Sequence, residues 1–320
     1  MAGARPRIVS LLPSATEIAC ALGFRDALVG RSHECDWPEG VSDLPVVTRS
    51  KLAKGLRSGA IEARVQAIVG AGLSVYEVDT DLLRALEPDV ILTQTQCAVC
   101  AVTPDDLQAA LDDWTGAAPR LISLAPDDLD DVWQDFRNVG AALCAQDRAE
   151  RVIGDCRVRL DAVQAAVADR PRPRVAAIEW IDPLMVAGNW VPELIALAGG
   201  ESLLATPGEH SPAIAWADLV EADPDVVALM PCGFRIPQTL AELDALTGRP
   251  EWRDMRAVRS GRVFATDGQY FFNRPGPRLV ESAEILAQLM HSDLHAFGHG
   301  GEAWRRVAVQ DREPAWQSGG

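Results

Sequence analysis

A short phrase that occurs twice restricts the fold of this chain more than any other feature of it. Pro88-Asp-Val-Ile-Leu-Thr-Gln-Thr-Gln-Cys-Ala-Val-Cys100 returns as Pro224-Asp-Val-Val-Ala-Leu-Met-Pro-Cys232-Gly-Phe234. In each copy a Pro-Asp pair opens a short apolar run, the pattern of a strand buried on both faces in a parallel sheet. Two further echoes fall in the same order: Arg5-Pro-Arg-Ile8 with Arg172-Pro-Arg-Val175, and Glu17-Ile-Ala-Cys-Ala-Leu-Gly23 with Glu193-Leu-Ile-Ala-Leu-Ala-Gly199. A duplication on this scale predicts two Rossmann-like α/β lobes of one plan. The 320 residues, 48% of them apolar, suffice for two such lobes with a substantial core.

The expected order starts with a strand over Ile8–Leu12 and a helix from Pro13, with Ser14 and Glu17 at capping-box spacing. A short strand at Leu28–Gly30 leads into an irregular segment, and Leu44–Lys54 reads as loop. A helix over Ile61–Val69, a strand over Val75–Val78 and a short helix around Leu82 precede the first Pro-Asp strand. Pro104–Trp114 has the spacing of an amphipathic helix, and Leu121–Leu124 closes the first lobe. From Asp127 to Arg170 the spacing is helical almost throughout, with Pro171 and Pro173 as the stop. The boundaries that follow are a first lobe over 1–126, a helical linker over 127–171, a second lobe over 172–300 and a loosely held tail over 301–320.

Net charge is −16, which argues against nucleic acid and anionic membrane surfaces as partners. No run is long enough to span a bilayer, and the first residues lack the apolar core of a signal peptide, so a cytoplasmic protein with mostly free thiols is expected. No G-x-G-x-x-G, G-x-S-x-G or P-loop is present. The expectation is a non-enzymatic binding protein.

In open α/β sheets ligands sit beyond the carboxyl ends of the strands. That places Gln94, Gln96, Cys97 and Cys100 of the first lobe opposite Cys232 of the second, at the two walls of one cleft. Exposed amides at Ser14 could cradle an anionic group, or simply begin the helix. His33, Cys35, His210, Cys97, Cys100 and Cys232 form a His/Cys set suited to zinc or an iron–sulfur cluster, a metalloprotein alternative in which catalytic use stays open. Cys20, Cys144 and Cys156 fall on apolar helix faces and are expected in the core. Trp180, Trp190, Tyr270 and Phe271 (with Trp37) lie off any periodic apolar face, which suits a flat ligand or packing between lobes. Asn273 and Arg274, in Asn-Arg-Pro-Gly-Pro, could orient a ligand or pin the turn.

Several segments resemble the helical-backbone, class III (cluster A-II) solute-binding proteins of ABC transporters, nearest to the cobalamin carriers. They are Arg7-Ile-Val-Ser-Leu-Leu-Pro-Ser-Ala-Thr-Glu-Ile18, Val29-Gly-Arg-Ser with Asp36-Trp-Pro38, Leu86-Glu-Pro-Asp-Val-Ile91 and Asn273-Arg-Pro-Gly-Pro-Arg-Leu279. The resemblance implies two lobes joined by one long helix, little closure, and a corrinoid or other metal-chelate ligand in the cleft. It also implies permease-docking acids ahead of the two Pro-Asp strands. Asp81 stands at the first position, but the second is Ala217 with Asp218 beside it, which argues against docking to an ABC permease.

Overall fold

The computed structural model describes residues 5–308 apart from 72–73, 96–106, 108–113, 115–117 and 295–296. The first sheet is fully parallel, in the order β2-β1-β5-β6, from β1 (Ile8–Ser10), β2 (Leu28–Arg31), β5 (Val90–Gln94) and β6 (Arg120–Leu124). Beside it β3 (Thr48–Ser50) and β4 (Tyr76–Val78) form an antiparallel ribbon, so part of the expected Leu44–Lys54 loop is a strand. The second sheet runs β12-β11-β10-β7-β8, with β9 also on β7. Its strands are β7 (Arg174–Trp180), β8 (Met185–Val186), β9 (Glu201–Ser202), β10 (Val226–Leu229), β11 (Val263–Thr266) and β12 (Trp304–Arg306). Part of the tail expected over 301–320 is therefore structural, because β12 pairs antiparallel with β11.

The duplication is visible at the level of single hydrogen bonds. Ile8 pairs with Val90 in the first lobe and Val175 with Val226 in the second. At the foot of each pair the repeated aspartate accepts the repeated arginine's amide: Arg7 N–H to Asp89 Oδ2 at 2.7 Å, and Arg174 N–H to Asp225 Oδ2 at 2.9 Å. Each aspartate's own amide donates back to that arginine's carbonyl. A carboxylate placed there satisfies the first free donor of the strand and fixes its register. The repeated glycine follows the helix in both lobes with φ +82° at Gly23 and Gly199, a left-handed turn that glycine takes without strain.

Between the sheets lie two helices, Leu129–Ala142 and Gln146–Val167. Phe136, Val139, Leu160 and Val163 belong to one buried apolar cluster that reaches Ile8 and Leu92 on one side and Val175, Val226 and Leu286 on the other. The linker is thus a strut packed into both lobes. Cys156 is buried on it as expected and Cys20 is half-buried, but Cys144 is exposed, at φ +54° in the turn between the two helices. No described helix is long and apolar enough to cross a membrane.

Candidate functional site

The crests of the two sheets face each other, and charged side chains join them. In the first lobe the crest is Ser32–Pro38, after β2. In the second it is the end of β7, the Pro231–Phe234 turn after β10 and the Asp267–Asn273 turn after β11. Arg274 Nη1 donates to Asp36 at 2.7 Å and to Glu17 at 3.3 Å, and Arg278 grips Glu17 through Nε at 2.9 Å and Nη2 at 2.5 Å. The Glu17 side chain is only 1% exposed, and Arg274 and Arg278 are 4% and 11% exposed. Buried Glu17 and half-buried Asp36 balance the two arginines, the condition under which such charges persist away from water. The Arg278 guanidinium also lies 5.1 Å from the Trp37 and Tyr270 ring centres and 5.6 Å from that of Phe271, within cation–π range. On another part of the junction Glu242 accepts the Ser58 amide at 2.8 Å, covering the start of the Ser58–Gly70 helix.

This arrangement gives the expected site residues different surroundings. Arg274 pins the lobes together and is not a free clamp. Trp190 is core, its Nε1–H donating to the Phe272 carbonyl at 3.0 Å. Ser14 is buried in the first turn of its helix; Leu12 occupies the capping position, and Glu17 is held by Arg274 and Arg278, so no capping box forms. His210 is exposed, with Nδ1 3.1 Å from the Ser211 carbonyl. Gln94 is buried at the end of β5. Gln96, Cys97 and Cys100 lie outside the described residues.

The zinc or iron–sulfur reading finds no support. Cys35 is fully buried, accepting from Thr16 Oγ1 at 3.1 Å, and burial pushes its thiol up to about 11. Burial also pushes Cys232 upward, and the carboxylates of Glu179 and Glu34 reinforce this. Among the described residues no three His, Cys, Asp or Glu side chains form a possible metal cluster.

What the crests do bring together is a set of acceptors and rings. Partial enclosure, which leaves its side chain 42% exposed, raises the Glu34 carboxyl to about 7, despite the opposing pull of Arg274. Enclosure raises Glu179 too, against the Ser211 hydroxyl that donates to it at 2.5 Å. Neither acid pairs with an arginine or lysine among the described residues; Glu34 has only His33 Nε2 at 3.9 Å, an imidazole held neutral by burial and by Arg31 and Lys54. Trp180 packs on Phe234 at 5.4 Å, and Trp37 is 45% exposed. His33 Nδ1 is 2.8 Å from Thr48 Oγ1, and three buried crest atoms, His33 Nε2, Trp180 Nε1 and Asn273 Oδ1, have no hydrogen-bond partner among the described residues. Sequence reasoning missed Glu17, Glu34, Asp36, Glu179 and Arg278. Glu17 carried a signal as part of the repeated helix phrase, and Asp36 and Arg278 lay within the segments that carry the family resemblance; Glu34 and Glu179 carried none.

Comparison with known proteins agrees with this architecture. The chain is 25% identical over 290 residues to a cobalamin-binding protein of Halobacterium salinarum, covering 89% of this chain and 69% of that one. It is 23% identical over 294 residues to a vitamin B12-binding protein of Yersinia pestis, covering 91% and 88%. Among solved structures, a periplasmic heme binding protein from Pseudomonas aeruginosa superposes with a TM-score of 0.67 at 23% identity, over 90% of this chain and 93% of that one. The periplasmic vitamin B12 binding protein of Vibrio cholerae gives 0.62 at 21%, over 89% and 96%. The profile of one family, described as periplasmic binding protein, matches residues 8–270. With two sheets, a helical strut and a crest-to-crest site all inside or adjoining that span, the chain belongs to the periplasmic binding protein family and is a solute-binding protein, not an enzyme.

Proposed function

We propose that the chain binds a corrinoid between its two crests. The observation that carries this is the distribution of charge. Arg274 and Arg278 are committed to Glu17 and Asp36, and Arg235 to Asp267, while Glu34 and Glu179 have no arginine or lysine partner among the described residues. Such a wall suits a cationic metal centre ringed by neutral amides, whose N–H groups need acceptors. Haem, whose two propionates need cations, would find Arg274, Arg278 and Arg235 already committed. The unpartnered His33 Nε2, Trp180 Nε1 and Asn273 Oδ1 supply further polar contacts, and the Trp180 and Trp37 rings supply flat apolar area. The cobalamin-binding names of two relatives support the same ligand.

Calorimetric titration with hydroxocobalamin, haem and a ferric hydroxamate siderophore tests this. Cobalamin is expected to bind and haem to bind at least about tenfold more weakly, one such factor being about 1.4 kcal/mol. Haem binding alone would overturn the proposal. Delivery to an ABC permease would use Asp81 and Asp218, both exposed, on the helices that precede β5 and β10. Loss of co-purification with the permease in Asp81→Ala tests that step.

A further inference from the structure

The foot of the second lobe, away from the crests, holds a pocket whose charge runs against that of the whole chain. It lies where β7, β10 and β11 begin, beside the end of the Leu279–Met290 helix, as an open depression of about 640 Å³. Four arginines line it, Arg170, Arg172, Arg262 and Arg306, against two acids. Both acids are already engaged. Asp293 is held by Arg170 at 2.7 Å, and Asp225 by Arg256 at 2.8 Å and by the Arg174 amide.

Arg172 and Arg262 donate to main-chain carbonyls instead, Gly200 at 2.6 Å and Met290 at 2.7 Å, and Arg306 lies over the Phe264 ring at 5.7 Å. None of these three pairs with a carboxylate among the described residues. Two of the charges also oppose each other: burial and the Arg306 charge lower the pKa of Arg262, although Asp225 pulls the other way. His291, 7% exposed, completes the wall, and its Nε2 has no hydrogen-bond partner among the described residues.

We infer that this pocket is a second ligand site, taking a small organic phosphate monoester. Three arginine forks without a carboxylate match an oxyanion that offers three oxygens and about two charges. Pro171, exposed, and Pro173, half-buried, on the same walls give an attached organic group an apolar seat. The volume falls within the ordinary range for small-molecule sites.

Isothermal titration of the full chain with phenyl phosphate, inorganic phosphate and benzoate, in dilute buffer at about pH 7, tests the inference. Phenyl phosphate is expected to bind, and both other anions to bind more weakly. Arg306→Gln, at an exposed position, is expected to weaken phenyl phosphate about tenfold while leaving hydroxocobalamin titration unchanged. Arg262→Gln, checked by its melting curve, is expected to do the same. Absence of phenyl phosphate binding up to about millimolar, equal binding of benzoate, or unchanged affinity in Arg306→Gln would each overturn it.

Discussion

Replacing Glu17 by alanine is the sharpest test of how the two lobes are held. The side chain is 1% exposed, and its two oxygens receive three hydrogen bonds, one from Arg274 and two from Arg278. The intact set is two acids and two bases. Without Glu17 two guanidiniums, 4% and 11% exposed, face Asp36 alone, so one positive charge is stranded away from water. Breaking a buried pair in this way costs about 3–5 kcal/mol. With an unfolding entropy of roughly 2.1 cal/mol/K per residue over the 320-residue chain, that is a fall in Tm of about 4–7 °C.

Glu193→Ala is the internal control, because the repeat places it at the equivalent position. Glu193 is half-buried and accepts one amide, from Leu129 at 2.8 Å, so its loss should cost about 1 kcal/mol. Urea unfolding followed by circular dichroism reads both variants. Adding Arg278→Met to Glu17→Ala should recover at least about 1 kcal/mol by removing the stranded charge. If Glu17→Ala costs no more than Glu193→Ala, the four-charge latch does not hold the lobes in the way argued.

Three further outcomes follow from the same geometry. With the Glu34 carboxyl near 7, hydroxocobalamin affinity should rise between about pH 6 and pH 8 as the acceptor ionises, and Glu34→Gln should flatten that rise. Asp135 is 5% exposed with Oδ2 unpartnered among the described residues, and burial raises its carboxyl to about 7. An acid raised on folding adds stability below its unfolded pKa and loses it as pH climbs through the folded one. Asp135→Asn should therefore exceed wild type by roughly 2–4 kcal/mol at about pH 8 and gain nothing over it below about pH 4, as thermal melts across pH would register. Trp190→Phe removes the bond to the Phe272 carbonyl and should lower stability by about 1–2 kcal/mol with no change in corrinoid titration, because the ring is core.

The duplicated plan was legible because it is written in local signals. Pro-Asp ahead of an apolar run, Arg-Pro-Arg ahead of another and glycine after a helix each act on the backbone beside them, and each acts in both lobes. Elements that rest on distant partners gave no such signal. Thr48–Ser50 is three residues long and becomes a strand only against Tyr76–Val78. Trp304–Arg306 does so only against β11, which lies well before it in the chain. Ser14 and Glu17 have capping spacing, yet Glu17 is drawn away by arginines more than 250 positions later in the chain. The site fared likewise. Rings off periodic faces pointed to the crests, and Trp37, Trp180 and Tyr270 do lie there. Trp190 was indistinguishable from them until its indole met a carbonyl inside the core. Glu34 and Glu179 look like ordinary surface acids until folding brings both near Cys232.

The strand β12 has a consequence for solubility. β11 would otherwise form the border of a parallel sheet, with main-chain donors and acceptors at Phe264, Ala265 and Thr266 open to a neighbouring molecule. Trp304–Arg306 lies there in the opposite direction instead, and it brings two exposed arginines, Arg305 and Arg306, to the new rim. Like charges on that rim repel a second copy approaching edge-on. These few residues near the carboxyl end thus act as a selvage, keeping one molecule's sheet from being continued by the next.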